Sequence, residues 1–563
     1  MSLKYPLSSG YQYVLPVSVV AVTIVIWMLR RWWSFTFGSP LRNLPGPPSP
    51  SLLYGNVKEV FDAENHVVPD RWFSQYGKNF VDNGFLMAAR LWTLDTRALN
   101  HIMTYYDDYP RPEENANVFK QLLGRAILLV KGEEHKQQAG QLPMSYSATR
   151  LCYVVNAIEE NHGMNPAFGP AQVRDLTEIF VQKSQEVRVR PLADLWSRAT
   201  RDGPARVNVN ADLSKMTLDV IGLAGFNYAF HALNAQGRPN ELSLAFRTFF
   251  ANNARGGSIL AYLRARYPAL RFIRNSVARR VEAATQVIRR VGKDLVETRK
   301  AALLRELEEK HVDGLERKDF QGRDLLTLLI KANMAKDIPE TQRLSDEDLT
   351  GQVPAFLIAG HETTSIAACW ALYALSKNAE AQKKLREELL TVETDTPTMD
   401  ELSALPYLDM VVHETLRLHT PVAMLFREAK KDDVIPLSEP IAKGNKVVLP
   451  ILALHRSKEI WGEDALEFKP ERWEQPPEAS ANVPGVWGHL LTFIGGPRAC
   501  IGYRFSLIET KVILFTLLRR FAFELAVPPE RVFVKSIMQF QRPFLRDEEG
   551  IQLPLILRPV QAA

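Results

Sequence analysis

Residues 493–502 read Phe-Ile-Gly-Gly-Pro-Arg-Ala-Cys-Ile-Gly and constrain the chain more than any other stretch. They place Cys500 in a loop just ahead of an apolar pattern with helical spacing. The partial positive charge at a helix N-terminus favours thiolate over thiol, so Cys500 is predicted to be a metal ligand. Gly496 and Gly502 leave room for a bulky group close to the backbone, and Arg498 can bind a carboxylate in bidentate fashion. A flat macrocycle with carboxylate arms would satisfy both.

The alternative interpretation of Cys500 is a buried thiol without a ligand, which is what a single cysteine usually is. The joint spacing of the phenylalanine, the glycines and the arginine around it favours the ligand interpretation. The other two cysteines, Cys152 and Cys369, are too few and too scattered for a zinc site or a disulfide framework. No other metal pattern therefore competes for Cys500.

The pattern Phe-x-x-Gly-x-Arg-x-Cys-x-Gly resembles the heme loop of the cytochrome P450 family, the heme-thiolate monooxygenases. The resemblance implies heme b as the cofactor, with Cys500 as its axial ligand. It also implies that Arg498 binds a heme propionate and that Phe493 packs beside the sulfur. The fold class implied is mainly α with a small β region, α+β, with the catalytic domain at residues 56–563.

Residues 11–29 form a nearly uncharged apolar run that is just long enough to span a bilayer. An Arg-Arg-Trp-Trp sequence follows, and positive charge on this side predicts that the main body faces the cytosol. A cleaved signal peptide is the alternative, but no small-x-small cleavage site follows. We expect residues 1–31 to be a single-pass anchor, in the endoplasmic reticulum membrane, and residues 32–55 to be a basic and aromatic flank with a proline-rich hinge.

Composition and charge indicate which partners are suitable. The 563 residues are 46% apolar and 24% charged, which is enough to bury a cofactor. The formal net charge of +5 is spread over mixed-sign helices, which makes nucleic acid a poor partner and an acidic protein a better one. No dinucleotide fingerprint or flavin domain is evident, so the resemblance implies a separate NADPH-dependent flavoprotein reductase, expected to dock near Lys131, Lys136 and Lys511.

Ser345 and Asp348 form a capping box that predicts the start of a long helix, with Pro354 expected to kink its first turns. Residues 359–364 of this helix read Ala-Gly-His-Glu-Thr-Thr. A glycine and an acid inside an apolar helix cost stability, so a solvated helix face is the alternative to a functional role.

The same six residues resemble the oxygen-binding groove of the P450 family. The resemblance implies that Gly360 leaves an opening for dioxygen and that Thr363 provides a hydroxyl beside it. It further implies that Glu362 is a link in a proton relay.

Glu414 and Arg417 lie one helical turn apart, and both must pair if they face inward. With Arg472 of a downstream Pro-Glu-Arg-Trp sequence, they resemble the structural triad behind the heme of the family. Arg427 matches a second propionate contact, with a surface arginine as the alternative. Near the C-terminus, two apolar runs flank residues 546–550 and predict a hairpin that closes one wall of the pocket.

Residues 132–138 resemble the start of the helix that reaches a propionate, and His135 fits the first of its two roles. The second role falls on Ala139, which cannot bind an anion. Residues 139–163 then depart from the family pattern, which resumes at Met164. A surface insertion is tolerated at modest entropic cost. A mispredicted splice junction, with translated intron in this segment, also explains the absent basic residue, and is our hypothesis.

These observations favour a membrane-anchored monooxygenase that oxidises a lipophilic small molecule with dioxygen, in secondary metabolism or xenobiotic oxidation. Each apolar residue in the expected access lid could equally belong to the core, but together they suggest a lipophilic substrate: Leu244, Phe246, Phe249, Phe250, Ile259 and Leu260. One alternative is a heme-thiolate isomerase or dehydratase without a reductase, which Glu362 and Thr363 disfavour because it needs no proton relay. Another is a poorly active heme-binding membrane protein from a misspliced gene.

Overall fold

The computed structural model of the protein describes residues 38–132, 134, 135, 138, 190–233, 240–253, 259–267, 270, 276–309, 324–334, 336, 343–437, 440–537 and 539–560, with isolated positions before residue 38. Most of the expected anchor at residues 1–31, and the whole segment 139–163, therefore lie outside the described residues. Within the described part, no helix has both the length and the apolar character needed to cross a bilayer.

Helices make up most of the described chain. They are α1 (Val57–Asp62), α2 (Val67–Tyr76), α3 (Thr96–Thr104), α4 (Glu113–Leu123), α5 (Arg190–Ala199), α6 (Val209–Phe226), α7 (Glu241–Asn253), α8 (Ile259–Arg266), α9 (Ser276–Glu309), α10 (Leu325–Met334), α11 (Asp346–Lys377), α12 (Ala379–Leu390), α13 (Met399–Ser403), α14 (Pro406–Leu418), α15 (Ile451–His455), α16 (Lys458–Trp461) and α17 (Tyr503–Leu518).

The described strands are β1 (Asn79–Asn83), β2 (Ala89–Thr93), β3 (Ala205–Asn208), β4 (Leu425–Glu428), β5 (Asp433–Val434), β6 (Pro440–Ile441), β7 (Lys446–Leu449), β8 (Phe521–Leu525), β9 (Val532–Ile537), β10 (Phe540–Leu545) and β11 (Pro554–Pro559). They form a four-stranded sheet in the order β1-β2-β7-β4, a three-stranded sheet β3-β11-β8, and the pairs β9-β10 and β5-β6. β2 and β7 run parallel, and the other pairings in these sheets are antiparallel. The expected mainly α fold with a small β region is confirmed.

The long helix α11 forms the centre of the core. It begins at the predicted capping box: the hydroxyl of Ser345 accepts the Asp348 N–H at 3.1 Å, and the Asp348 carboxylate accepts the Ser345 N–H at 3.2 Å. Residues along almost its whole length are buried, and α6, α9 and α17 pack against it. A helix that is covered on all sides can carry polar groups only where they face a cavity or a partner.

Pro354 lies within α11, and the helix continues through it as one element, so the expected kink does not divide the helix. Because proline has no N–H, the carbonyl of Thr350 loses its helical partner at this turn. α9 packs on this turn at Gly292, where an added Cβ would lie 3.6 Å from the Thr350 oxygen and 3.8 Å from the proline ring. Tight packing against α9 thus supports the weakened turn.

The hairpin predicted around residues 546–550 is wrong. β10 and β11 flank this turn, but β10 pairs with β9, while β11 pairs with β8 and β3. Only an isolated bridge, Phe544 to Ile551, joins the two sides. The apolar residues Leu555 and Leu557 of β11 are fully buried in the second sheet, so burial overrode the local turn signal.

The structure brings the three residues of the expected triad together. Nε and Nη2 of Arg417 each donate to Glu414 at 2.8 Å, and Nε of Arg472 lies 3.4 Å from the same carboxylate. Glu414 and Arg417 are completely buried. Both cations contact this carboxylate, and Arg472 also pairs with the carboxylate of Asp464 at 2.5 Å. Backbone carbonyls satisfy the rest of Arg417, which donates to those of His455, Ala465 and Glu467.

A chain of hydrogen bonds connects this triad to the loop that contains Cys500. Nη1 of Arg417 donates to the carbonyl oxygen of His455 at 2.7 Å. Nε2 of His455 accepts the backbone N–H of Leu491 at 2.8 Å, so the ring is neutral at that nitrogen. Burial lowers the pKa of His455 to about 3, which preserves this acceptor at neutral pH. The hydroxyl of Thr492 donates to the carbonyl of Leu416 as a second link.

Replacing Glu414 with glutamine should lower the free energy of unfolding by about 3–5 kcal/mol, because the completely buried Arg417 loses its carboxylate partner and Arg472 loses one of its two. Chemical denaturation of the heme-loaded protein measures this change. The matched control is Glu463→Gln, which removes one partner of an exposed pair with Lys458 and should cost about 0–1 kcal/mol. Equal effects of the two substitutions would contradict a stabilising triad.

Candidate functional site

A cavity of about 360 Å³ lies against the loop that contains Cys500. A short 3-10 turn, Gly496–Arg498, leads into Cys500, and Gly502 is the N-cap of α17. The Cys500 N–H donates to the carbonyl oxygen of Phe493 at 2.8 Å, which closes the loop and brings both residues to the cavity wall. α17 begins at Tyr503, where the apolar pattern predicted a helix.

Burial raises the pKa of the Cys500 thiol to about 11, although a hydrogen bond from the Gly502 backbone opposes the rise. This effect acts against the thiolate that the helix N-terminus was expected to favour, although the Cys500 side chain is exposed to the cavity, so the thiolate form stays a prediction. Metal binding releases the proton of a cysteine ligand, so a bound cation can supply the missing stabilisation.

The two glycines of the loop have different roles. Gly496 has a φ of +69°, and a Cβ there would lie 2.7 Å from the carbonyl oxygen of Met103. The backbone conformation and the close contact with α3 therefore require glycine at position 496. The sequence had suggested instead that this glycine makes room for a bulky ligand. Gly502 lines the cavity, as does Phe493, whose ring lies 5.6 Å from that of Trp487.

Three arginines from different parts of the chain line the same cavity: Arg111, Arg427 and Arg498. Arg498 donates to the backbone carbonyls of Ile127 and Val130 at 3.3 and 2.7 Å. Arg427 extends from β4 and donates to the carbonyl of Phe426 at 3.0 Å. Among the described residues, no carboxylate lies within 4 Å of any of the three guanidinium groups.

This cluster is costly without an anion. Burial lowers the pKa of Arg498 to about 10, and burial with the charges of Arg111 and Arg498 lowers the pKa of Arg427 to about 9. Burial also lowers the pKa of Arg111. Crowded cations without a carboxylate within 4 Å favour an anionic ligand, and guanidinium groups bind carboxylates especially well. The residues present thus fit a heme whose propionates lie against the arginines and whose iron faces Cys500.

The sequence argument missed Arg111 and assigned Lys131 to a different place. Arg111 stands in a Pro-Arg-Pro sequence, and an arginine fixed between two prolines is the signal that could have revealed it. Lys131 was expected on a docking surface, but it lines the cavity, where burial lowers its pKa. Lys511 is also excluded from that surface because it is buried and pairs with Asp409 at 2.7 Å. Lys136 lies outside the described residues.

His135 lines the cavity, next to the ring of Tyr106 at 5.9 Å. Burial and the charge of Arg498 lower the pKa of His135 to about 3, so its imidazole is neutral and can donate one hydrogen bond. Gln138 accepts a bond from Gln352 of α11 and donates to the Arg125 carbonyl. Arg111 and Lys131 bring positive charge to this part of the cavity, although Ala139 contributes none.

α11 brings Gly360, Thr363 and Thr364 to the opposite wall of the cavity. The hydroxyl of Thr363 donates to the carbonyl of Ala359 at 2.6 Å. An added Cβ at Gly360 would lie 2.9 Å from Ile221 of α6, so this glycine also permits the close approach of two helices. Its part in oxygen access, and the hydroxyl role of Thr363, stay predictions.

Glu362 does not line the cavity. It is buried and forms an ion pair with Arg542 of β10, and its other oxygen lies 2.9 Å from Nε2 of His361. The expected relay acid is thus adjacent to Thr363 in sequence, with its carboxylate bound on another side of α11.

A second buried acid, Glu509 of α17, was not singled out from the sequence. Both oxygens of its carboxyl lack a hydrogen-bond partner among the described residues. Burial raises the pKa of Glu509 to about 8, with the Thr364 hydroxyl opposing the rise, so it is protonated at neutral pH. Thr364 lies 3.3 Å from Ser506, and both line the cavity. An acid in the middle of an apolar helix was the available signal.

Five of the apolar residues expected in the access lid, Leu244, Phe246, Phe249, Ile259 and Leu260, are not among those that line the cavity. Phe246 and Phe249 of α7 are buried in the main core, and Leu244 is about half exposed. Helical spacing alone could not distinguish a core face from a pocket face. The apolar wall comes instead from α6, α11 and β4, with Ile221, Phe356 and Leu425 among its members.

Comparison with known proteins agrees with the geometry. A sequence model of the family described as Cytochrome P450 matches residues 164–554, more than half of the chain. The match begins where family-like sequence was expected to resume after residues 139–163.

Curated relatives match over nearly their whole length. Cytochrome P450 monooxygenase 205 of Postia placenta is 48% identical, over 96% of this chain and 97% of that protein. Cytochrome P450 monooxygenase 128 of the same organism is also 48% identical, over 95% and 96%. Cytochrome P450 monooxygenase claO of Ampulloclitocybe clavipes is 33% identical, over 97% and 98%.

Replacing Arg111 with glutamine should weaken hemin binding to the heme-free protein about tenfold or more, because one charge-assisted contact to a carboxylate is lost. Absorbance titration with hemin measures the dissociation constant. Arg97→Gln, which alters an exposed arginine paired with Asp95, should bind hemin like the unaltered protein. Unchanged affinity in Arg111→Gln would show that this guanidinium does not face a propionate.

Proposed function

The chain belongs to the cytochrome P450 family and is a cytochrome P450 monooxygenase with heme b as cofactor; from this premise we propose that Cys500 supplies the axial thiolate. We propose further that the enzyme oxidises a lipophilic small molecule with dioxygen and electrons from an NADPH-dependent flavoprotein reductase. The observation that carries the proposal is the cavity itself, in which Cys500 lies on the wall beside three arginines without carboxylate partners.

On this proposal, Arg111, Arg427 and Arg498 bind the propionates, and His135 adds a neutral donor. Heme with a thiolate ligand supplies the activation of dioxygen when it is bound. The protein contributes orientation, because backbone contacts hold the guanidinium groups of Arg427 and Arg498, and exclusion of water, because the remaining wall is mostly apolar. Glu414, Arg417 and Arg472 are proposed to stabilise the loop from behind.

The cavity wall formed by α11 is proposed to hold and transfer protons. Gly360 leaves space beside α11, and Thr363 holds a proton on a hydroxyl that faces the cavity. To donate into the cavity, that hydroxyl must leave the carbonyl of Ala359, and it can do so by a rotation about χ1. Glu362 is proposed to renew the proton on this side, because it directly precedes Thr363 in the sequence.

The substrate class follows from the lining. Ile221, Phe356, Val422, Leu425 and Ile494 give the cavity apolar walls, which suit a lipophilic molecule. Curated relatives from two fungi are named monooxygenases, and this supports our proposal of a role in fungal secondary metabolism or xenobiotic oxidation. Oxidation products identified by mass spectrometry in reductase-containing microsomes test it.

We also propose that residues 1–31 anchor the enzyme in the endoplasmic reticulum membrane, that residues 32–55 form the flank and hinge, and that residues 56–563 form the catalytic domain. The apolar run and the Arg-Arg-Trp-Trp flank support this proposal. Deletion of residues 1–31 tests it: the shortened protein should be released from membranes at least partly by carbonate washing, and undiminished sedimentation would contradict a single anchor.

Residues 139–163 are proposed to derive from a mispredicted splice junction. The start of the family match at residue 164 supports a break in the family pattern here. Sequencing of the transcript across these codons decides between the two origins, since a messenger that encodes the segment would establish a genuine insertion.

The direct test of the proposed function combines a spectrum with a stoichiometry. The reduced protein with carbon monoxide should show the spectrum of thiolate-ligated heme, and added reductase should make NADPH consumption depend on substrate. A heme-thiolate isomerase would convert substrate without NADPH. A protein that binds heme but neither consumes NADPH nor converts substrate would contradict the proposal.

Replacing Thr363 with alanine should leave heme and substrate binding intact but divert reducing equivalents to hydrogen peroxide by about tenfold or more, because a proton donor at the cavity wall is lost. The ratio of product to NADPH, with peroxide measured in parallel, checks this. Thr350→Ala, which removes an exposed hydroxyl on the same helix, is the matched control. Full coupling in Thr363→Ala would exclude Thr363 from proton transfer.

A further inference from the structure

Glu362 and its neighbours form a buried charged cluster that the proposed relay does not by itself explain. Glu362 and Arg542 are 5% and 6% exposed, and they form an ion pair between α11 and β10. A guanidinium next to a buried carboxylate favours its ionised form. An acid held as an anion resists protonation, so Arg542 opposes the function proposed for Glu362.

His361 adds a constraint on the number of protons in this cluster. Its Nδ1 lies 2.8 Å from the carbonyl oxygen of Leu357, and its Nε2 lies 2.9 Å from the Glu362 carboxylate. A neutral imidazole has only one N–H, whereas both neighbours are acceptors when Glu362 is ionised. Both contacts can be hydrogen bonds at once only if the His361–Glu362 pair holds one additional proton.

The surroundings fix this geometry. The hydroxyl of Thr217 of α6 donates to the His361 carbonyl at 3.0 Å, and the ring of Phe246 of α7 lies 6.2 Å from the imidazole. Burial, more than the charge of Arg542, lowers the pKa of His361 to about 4, so the additional proton is weakly held at neutral pH. A weakly held proton next to Thr363 is one that can be released.

We propose that Arg542 is a positioning residue for oxygen activation, which with His361 and Glu362 forms a buried proton-holding cluster behind Thr363. The inference rests on the proposed function and deepens it. Arg542 sets how readily the His361–Glu362 pair takes up and releases its additional proton. Among the described residues, the charged group that contacts the pair is Arg542 from β10. The contact from α6 is the Thr217 hydroxyl on the His361 carbonyl, and Glu509 of α17 lies on the Thr364 side.

The functional test compares Arg542→Gln with Arg542→Lys. Loss of the positive charge should raise the proton affinity of the pair, so the pH dependence of product formed per NADPH should move to higher pH by about one to three units. Arg542→Lys keeps the charge and should stay within about half a unit of the unaltered enzyme. Arg558→Gln, which removes an exposed partner of Glu524, is the control and should overlay the unaltered profile.

A second measurement needs no turnover. The infrared difference spectrum between Arg542→Gln and the double variant Arg542→Gln/Glu362→Gln should contain the carbonyl stretch of a protonated carboxylic acid. The same band, measured between the unaltered enzyme and Glu362→Gln, should titrate at lower pH. If the enzyme proves to have no monooxygenase activity, this titration still decides whether the cluster exists. A pH profile and a titration that are both unaffected by Arg542→Gln would overturn the proposal.

If Arg542→Gln does not fold, the same two measurements are made on Arg542→Lys and on Glu362→Gln, and these two variants are compared. The pH profile of Glu362→Gln should then lose the step that Arg542→Lys retains. An identical profile in Glu362→Gln and the unaltered enzyme would exclude the cluster from proton transfer.

Discussion

The unbalanced positive charge around Cys500 is the interaction on which the rest of the structure depends. Arg111 precedes α4, Arg427 belongs to β4 and Arg498 to the loop before α17, yet all three line one cavity. Burial disfavours their charge, and among the described residues no carboxylate lies within 4 Å of them. Backbone carbonyls, the Tyr106 ring and the more distant charge of Asp107 offset this cost only in part. An anionic ligand therefore stabilises the folded protein itself, because a ligand that binds only the folded state adds its binding free energy to stability.

The scaffold behind the cavity solves the same electrostatic problem differently. At Glu414, two guanidinium groups contact one carboxylate, Arg472 also pairs with Asp464, and carbonyls satisfy the rest of Arg417, so no ligand is required. His455 links this triad to the loop, because its neutral ring accepts the backbone N–H of Leu491. Glu414, Arg417 and Arg472 thus hold elements together, whereas the three cavity arginines, which have no carboxylate within 4 Å among the described residues, are the ones proposed to bind the cofactor.

Features formed by residues close together in the sequence could be predicted, and features formed by residues far apart could not. The loop of Cys500, the capping box of Ser345 and the pairing of Glu414 with Arg417 are local patterns, and the structure contains each of them. Arg542 could not be predicted as the partner of Glu362, because 180 positions separate them and only the packing of β10 on α11 joins them.

The errors have a common physical cause. The hairpin around residues 546–550 and the exposed position of Lys511 were each inferred from composition or short-range turn signals. Tertiary pairing determined the outcome in both cases: β11 pairs with β8, and Lys511 pairs with Asp409. Burial of a charged group such as Glu509 gives no local pattern beyond one acid in an apolar run, so its environment emerges only from the packed structure.

The central claim is that the sulfur of Cys500 is the axial ligand of the heme. The most direct measurement is the carbon monoxide difference spectrum of reduced Cys500→Ser, with Cys369→Ala, a change in the buried cysteine of α11, as the control. The account predicts that Cys500→Ser loses the thiolate-type spectrum while Cys369→Ala retains it, because a neutral alcohol is a far weaker ligand for iron. A thiolate-type spectrum in Cys500→Ser would contradict the assignment.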